Sequence, residues 1–221
     1  MRLSAAVSLV LLTAIAIPGA AAASHKPGHA PKPGTAESLT IVAEPNPVVY
    51  GGSVVINGRL TSADRGGKNL ILESDPYPYE NDFSNVGTAT TGASGNYSLT
   101  QRPGVNTRYR VRHGNLLSPV VTVLVRMRIG LRVSDRTPSR GERVRFFGRV
   151  CPVHVGALVR IQRRISGKWV TLRRTRTDEA ARCSSYSRRA RIRRDGLYRT
   201  VVAGHGDHAR GISPARFLDV G

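Results

Sequence analysis

The chain has 221 residues, with 34 Lys and Arg against 14 Asp and Glu, for a formal net charge of +20. Aromatic residues are only 5% of it, which excludes a large aromatic core and leaves room for one modest core per hundred residues or so. Past the N-terminal region no apolar run reaches the ~18 residues of a membrane-spanning helix.

Met1-Arg2 gives a positive start, Leu3 to Ile17 is apolar, Pro18-Gly19 breaks the run and Ala20 to Ala23 supply small residues. That order is the pattern of a Sec-type signal peptide over residues 1–23, cleaved after Ala23. The apolar run is short for an anchor, which needs ~20 residues. The expected mature protein is therefore secreted or cell-surface associated, with no transmembrane segment after cleavage. Residues 24–37 are basic and rich in Pro and Gly, and carry His25 and His29. They lack the apolar side chains that would offset ordering entropy, so they read as a disordered linker.

From residue 38 the patterning is that of short strands. Leu39, Ile41 and Ala43 alternate with polar or smaller neighbours until Pro45-Asn46-Pro47 stops the run. Gly51-Gly52 turns the chain into Ser53–Leu60, and Asn69–Glu73 is a third strand candidate. Gly92 to Gly95 is a turn cluster before Asn96–Gln101, and Arg108–Arg112 and Val120–Val125 complete a first set. A second set opens at Leu131 and Val133. Val144 and Phe146 then alternate with Arg143 and Arg145, Val159 and Ile161 flank Arg160, and Trp169–Arg174 follows the Gly167 turn. Tyr186–Arg193 and Leu197–Ala203 come last, joined by the tight turn Asp195-Gly196. Period-two alternation at this spacing, punctuated by Gly, Pro and Asn, predicts antiparallel sandwiches.

The second set repeats the first. Gly51, Val54, Gly58 and Arg59 recur as Gly141, Val144, Gly148 and Arg149. Tyr97 and Tyr109 recur as Tyr186 and Tyr198, and Ser118-Pro119 as Ser213-Pro214. A period of about ninety residues is too long for a solenoid unit and suits one small β domain. The expectation is an all-β chain of two tandem antiparallel sandwiches, one over 38–125 and one over 126–221. The copies differ before their last strands, where Gly204 to Ala209 makes a longer loop in the second. Cys151 and Cys183, the only two cysteines, both fall in the second copy. In an exported chain they are expected to pair as a disulfide.

Asp195-Gly196-Leu197-Tyr198 resembles the tyrosine corner of immunoglobulin-like sandwiches. In the first copy, Asp75-Pro76-Tyr77-Pro78-Tyr79, Gly92-x-x-Gly95-Asn96-Tyr97 and Asn106-Thr107-x-Tyr109 are similar to the bacterial immunoglobulin-like modules of exported actinobacterial proteins. The resemblance implies an immunoglobulin-like fold and a role as spacer, surface or adhesion unit.

Charge is unevenly placed. Residues 24–125 carry a net +2, whereas residues 126–221 hold 23 Arg and 1 Lys against 7 acidic residues, a net +17. Arg143, Arg145, Arg189, Arg191 and Arg193 are expected on exposed strand faces. Guanidinium forks there suit phosphate, sulfate or carboxylate. The competing reading is a compositional surface that keeps the protein soluble and blunts sheet edges. The partners expected are an anionic wall polymer, an acidic glycan or a protein. Export and the lack of a recognised motif argue against nucleic acid.

Weaker constellations remain. Glu73, Asp75, Glu80 and Asp82 surround Tyr77, Tyr79 and Phe83, a set that could hold calcium or stack a sugar. His205, Asp207 and His208 could ligate a metal. Two glycines and no fourth donor in view leave the expectation at no metal and no cofactor. The sequence contains no G-x-S-x-G, H-E-x-x-H, Ser-x-x-Lys or Gly-rich phosphate loop. The function expected is a non-enzymatic surface or adhesion-type binding module. A structural spacer without a ligand is the alternative, and an uncharacterised hydrolase the distant one.

Overall fold

The computed structural model describes residues 36–221, which are strand, turn and loop with no helix among them. The expected signal peptide and residues 24–35 of the expected linker lie outside the described residues.

The first half comprises β1 (Ser38–Leu39), β2 (Val42–Glu44), β3 (Val48–Val49), β4 (Val54–Thr61), β5 (Asn69–Pro76), β6 (Ser84–Thr90), β7 (Asn96–Gln101), β8 (Thr107–His113), β9 (Leu116–Leu117) and β10 (Val121–Val123). One sheet sets β4 between β1/β2 and β7, and the other runs β10-β8-β5-β6 with β9 on the end of β8. The chain crosses between the sheets from β4 to β5, from β6 to β7 and from β7 to β8, as in an immunoglobulin-like sandwich. β4 shows why it forms: Val54, Ile56 and Leu60 are buried while Val55 and Arg59 are exposed. Tyr97 joins them from β7 of the same sheet, and Leu70, Leu72, Tyr109, Val111 and Val123 close the core from the facing sheet.

A short strand β11 (Val125–Arg126) leads into the second half. There follow β12 (Arg128–Ile129), β13 (Arg132–Val133), β14 (Arg143–Cys151), β15 (Leu158–Ile165), β16 (Lys168–Arg176), β17 (Ser184–Arg191), β18 (Gly196–Val202), β19 (Gly211–Ile212) and β20 (Arg216–Leu218). β14 lies between β12/β13 and β17, and the opposite sheet runs β16-β15-β18-β19 with β20 also on β18. The pairing scheme repeats that of the first half, and Phe146, Ile161, Ile192, Tyr198 and Leu218 fill the centre.

The repeated residues are polar pins set at equivalent places. Tyr97 donates its hydroxyl to the Thr40 carbonyl, and Tyr186 donates to the Gly130 carbonyl at 2.7 Å. Those carbonyls belong to the gap where the first strand of each half breaks in two. Gly58 and Gly148 lie beneath them: a Cβ at either would fall 2.0 Å from the Thr40 or Gly130 oxygen. Glycine is therefore required for close backbone approach in both copies. The Ser118 hydroxyl accepts from Val111 N and the Ser213 hydroxyl from Thr200 N, each at 2.9 Å. Tyr198 donates to the Arg194 carbonyl at 3.0 Å, the four-residue reach of a tyrosine corner.

Cys151 and Cys183 form a disulfide, with Cα atoms 4.5 Å apart. They continue the β14–β17 ladder, in which Val150 faces Ser184, so the bond clips two neighbouring strands of one sheet. Closing a segment of 32 residues stabilises by about 3–4 kcal/mol on chain-entropy grounds.

No loop separates the halves. β10, β11 and β12 follow one another within nine residues, and β11 pairs in parallel with β3. Val48 N donates to Leu124 O and Tyr50 N to Arg126 O, both at 2.9 Å. On the other side Ala209 N donates to Val125 O at 2.8 Å. The long loop of the second half folds against the first: Asn106 N donates to Asp207 O at 2.8 Å and Asn106 Nδ2 to Gly206 O at 2.9 Å.

Three details differ from the reading of the sequence. β6 was not anticipated, because most of its side chains are exposed and none is fully buried. The strand expected over Tyr186–Arg193 spans Ser184–Arg191. The acidic and aromatic residues around Tyr77 do not gather into one loop: Glu73 and Asp75 are buried in β5.

Candidate anion-binding face of the second sandwich

β14 and β17 carry four of the five arginines that the alternation singled out, Arg143, Arg145, Arg189 and Arg191. Their antiparallel register sets Arg143 directly opposite Arg191 and Arg145 directly opposite Arg189. Val144 faces Ala190 in the same ladder, and both are buried. Burial of that apolar pair turns the four flanking guanidinium groups to the outer face.

β17 has β14 as its one strand partner, with an isolated bridge from Ser185 to Asp178 on its other side, and β16 is the edge of the opposite sheet. Arg173 from β16 and Arg188 from β17 meet the outer-face arginines along that edge. Together Arg143, Arg145, Arg173, Arg188, Arg189 and Arg191 line an open groove of about 680 Å³, with Ser187 the remaining lining residue. All six are exposed. Among the described residues, none of the six lies within salt-bridge reach of a carboxylate. Arg145 stacks over the Phe147 ring at 4.4 Å, which fixes the stem and leaves the fork's edge to solvent. Arg193 is exposed too, but it follows the end of β17 and does not line the groove.

The electrostatics are unusual for a surface ladder. Like charges directly opposite in an antiparallel pair are destabilising, on the order of 0.2–1 kcal/mol per pair. Two such pairs sit side by side here with no acidic residue between them. An anion spanning the groove would relieve both repulsions and gain forked hydrogen bonds to planar guanidinium groups.

The first half handles its arginines differently. Glu73 Oε2 accepts from Arg110 Nε and Glu73 Oε1 from Arg112 Nε, each at 2.7 Å. Burial raises the Glu73 carboxyl, but hydrogen bonds and charge from Arg112 and Arg110 outweigh it and hold the group below its ordinary value. Both carboxylate oxygens are thus taken up. Arg108 lies over Tyr79 and Arg110 over Phe83, each at 4.1 Å, so those two ring faces are covered by cations. Tyr77 meets Tyr79 edge-on, with ring centroids 5.6 Å apart.

His205, Asp207 and His208 all lie in the loop between β18 and β19. The structure brings to them a residue that no local pattern linked with them, His154 of the β14–β15 turn.

No protein-family model and no curated protein matches the chain. Among solved structures it is similar to a tetra-tandem repeat in the extending region of a large adhesion protein, at 17% identity and a TM-score of 0.35. That match covers 84% of this chain and 50% of the other, so the chain spans about half the length of that structure. It is also similar to the D0-D1 domain of intimin, at 9% identity and a TM-score of 0.32, over 82% of this chain and 98% of that one.

Proposed function

We propose that the protein is an exported, non-enzymatic binding module whose second sandwich holds anionic extracellular polymers in the β14–β17 arginine groove. Two directly opposed Arg–Arg pairs without an acidic neighbour carry this reading. Stacking like charges directly across a ladder costs stability that the same charges placed apart would not. The disulfide and the signal-like N-terminus support an oxidising, extracellular setting. The residues assigned to the site are Arg143, Arg145, Arg189 and Arg191, assisted by Arg173 and Arg188. Arg193 is assigned no part. The two sandwiches are assigned to 38–125 and 126–221, the first presenting the second.

The test is retention of the full mature protein on a heparin or wall-polymer matrix across a salt gradient. The quadruple variant R143Q/R145Q/R189Q/R191Q is compared with R128Q/R136Q/R164Q/R174Q, which removes the same charge from other exposed positions. A specific groove elutes at markedly lower salt in the first variant only, because contacted cations dominate the salt dependence. Stability supplies a second readout. Without polymer, at low salt, the groove variant unfolds at a higher midpoint than wild type, because repulsion has been removed. Equal loss of retention in both variants, or no retention at physiological salt, leaves a spacer with a compositional surface.

A further inference from the structure

The loop that makes the second half longer than the first brings Asp207 and His208 against His154. Each imidazole has its outer nitrogen committed to a backbone carbonyl. His208 Nε2 lies 2.8 Å from Gly104 O, and His154 Nδ1 lies 3.2 Å from Pro152 O. A carbonyl only accepts, so those nitrogens carry the protons, and in a neutral ring the other nitrogen is left with a lone pair. Both lone pairs point at one atom: His208 Nδ1 is 3.0 Å and His154 Nε2 is 3.3 Å from Asp207 Oδ2. Both nitrogens are shut off from water, and neither has a hydrogen-bond partner. His208 is 1% exposed. With both rings neutral, three acceptor atoms thus converge with no donor among them.

We propose that His154, Asp207 and His208 bind a zinc-class divalent transition-metal ion at the junction of the two sandwiches. Two imidazole nitrogens and a carboxylate oxygen are a usual donor set for zinc. Metal–ligand bonds of about 2.0–2.1 Å in a tetrahedral shell place neighbouring donor atoms roughly 3.3 Å apart. Two of the three separations already match, and all three atoms lie within 4.8 Å of one another. The carbonyls of Gly104 and Pro152 form the outer shell that fixes each tautomer and ring orientation. The fourth position goes to water or to His205, whose ring stacks on that of His154 at 5.7 Å. Tyr50 meets His208 edge-on at 6.0 Å. Gly104 and Tyr50 belong to the first half, whereas the three ligands belong to the second. A bound ion therefore ties the docked loop to both sandwiches. The site is separate from the arginine groove and stands whether or not the groove binds a polymer.

The mature protein, stripped with EDTA and held at pH 8 where imidazole is neutral, is titrated with Zn²⁺ by calorimetry and with Co²⁺ by visible absorption. Every protein tested carries H25A/H29A, so these two histidines do not compete. The expected result is one ion per chain, a Co²⁺ spectrum of a low-coordinate nitrogen/oxygen site, and a metal-dependent rise in unfolding temperature. H154Q and D207N each weaken binding at least tenfold and abolish the thermal shift, with unchanged near-ultraviolet circular dichroism as the folding control. Absence of stoichiometric binding by the wild-type cluster overturns the proposal, and so does binding that both substitutions leave intact. The Co²⁺ spectrum needs no variant, so a misfolded mutant does not shelter the idea.

Discussion

Gly148→Ala puts the equivalence of the two copies to a direct test. A Cβ at residue 148 would lie 2.0 Å from the Gly130 oxygen, 2.8 Å from its carbon and 2.9 Å from the Tyr186 hydroxyl. Ordinary contact begins at 3.4 Å, so the carbonyl must retreat by about 1.4 Å, further than a packed interior yields without loss. The retreat breaks the Gly130 N–Arg149 O bond of 2.9 Å and the Tyr186–Gly130 bond of 2.7 Å. At ~1 kcal/mol for each hydrogen bond and ~1–3 kcal/mol for overpacking, the cost is about 3–5 kcal/mol. Gly58→Ala meets the Thr40 oxygen at the same 2.0 Å and should cost the first sandwich as much. Gly141→Ala is the control. Its φ is +90° with nothing within 4 Å, so only left-handed strain of about 1–2 kcal/mol applies. Urea unfolding followed by Trp169 fluorescence reports the second sandwich, since Trp169 is the only tryptophan, and far-ultraviolet circular dichroism reports both. If Gly148→Ala proves no more costly than Gly141→Ala, the close approach is not what the repeated glycine serves.

Acid should weaken the first sandwich through Glu73. The Glu73 carboxyl is held below its unfolded value of 4.5, so its contribution is present above that pH and fades as pH falls through the folded value. Glu73→Gln should therefore flatten the acid limb of the stability–pH curve and cost about 1–3 kcal/mol at pH 7. An unchanged acid limb in thermal melts between pH 6 and 3 would refute the assignment. Reduction of the disulfide, or C151S/C183S, should lower the stability of the second sandwich by about 3–4 kcal/mol and leave that of the first unchanged in the same urea experiment.

Much of the architecture was legible because it rests on residue types that physics singles out. Gly58 and Gly148, Tyr97 and Tyr186, and the two Ser-Pro pairs repeat because each pins a backbone group at the same place in its copy. The rows of exposed arginines on β14 and β17 followed from alternation, since Val144 and Ala190 bury and their neighbours cannot. Three things did not show. β6 has little buried surface to stamp a period on its sequence. Which arginines oppose one another depends on register, and Arg193 dropped out of the groove because the strand ends two residues before it. His154 lies over fifty residues from Asp207 and His208, and no local spacing links side chains that meet only when two loops fold onto a neighbouring sandwich. The one available hint was a histidine in the turn after Cys151, facing a copy that lacks a counterpart to the long loop.

The parallel pairing of β3 with β11 has a mechanical consequence. Pulled by its two ends, the first sandwich loads these strands in shear, so the bonds of Val48 and Tyr50 to Leu124 and Arg126 must yield together rather than one by one. Ninety residues after Val48 stands Pro138, which has no N–H to give to such a clamp. A single bond, from Asp219 N to Arg136 O at 2.8 Å, closes the corresponding edge of the second sandwich. Tension along the chain is therefore expected to open the second sandwich before the first, which the order of steps in single-molecule pulling checks. The Cys151–Cys183 bond then withholds 32 residues from the extension, roughly 110 Å of contour. The half expected to give way first is the half that carries the arginine groove, and its disulfide limits how far it extends.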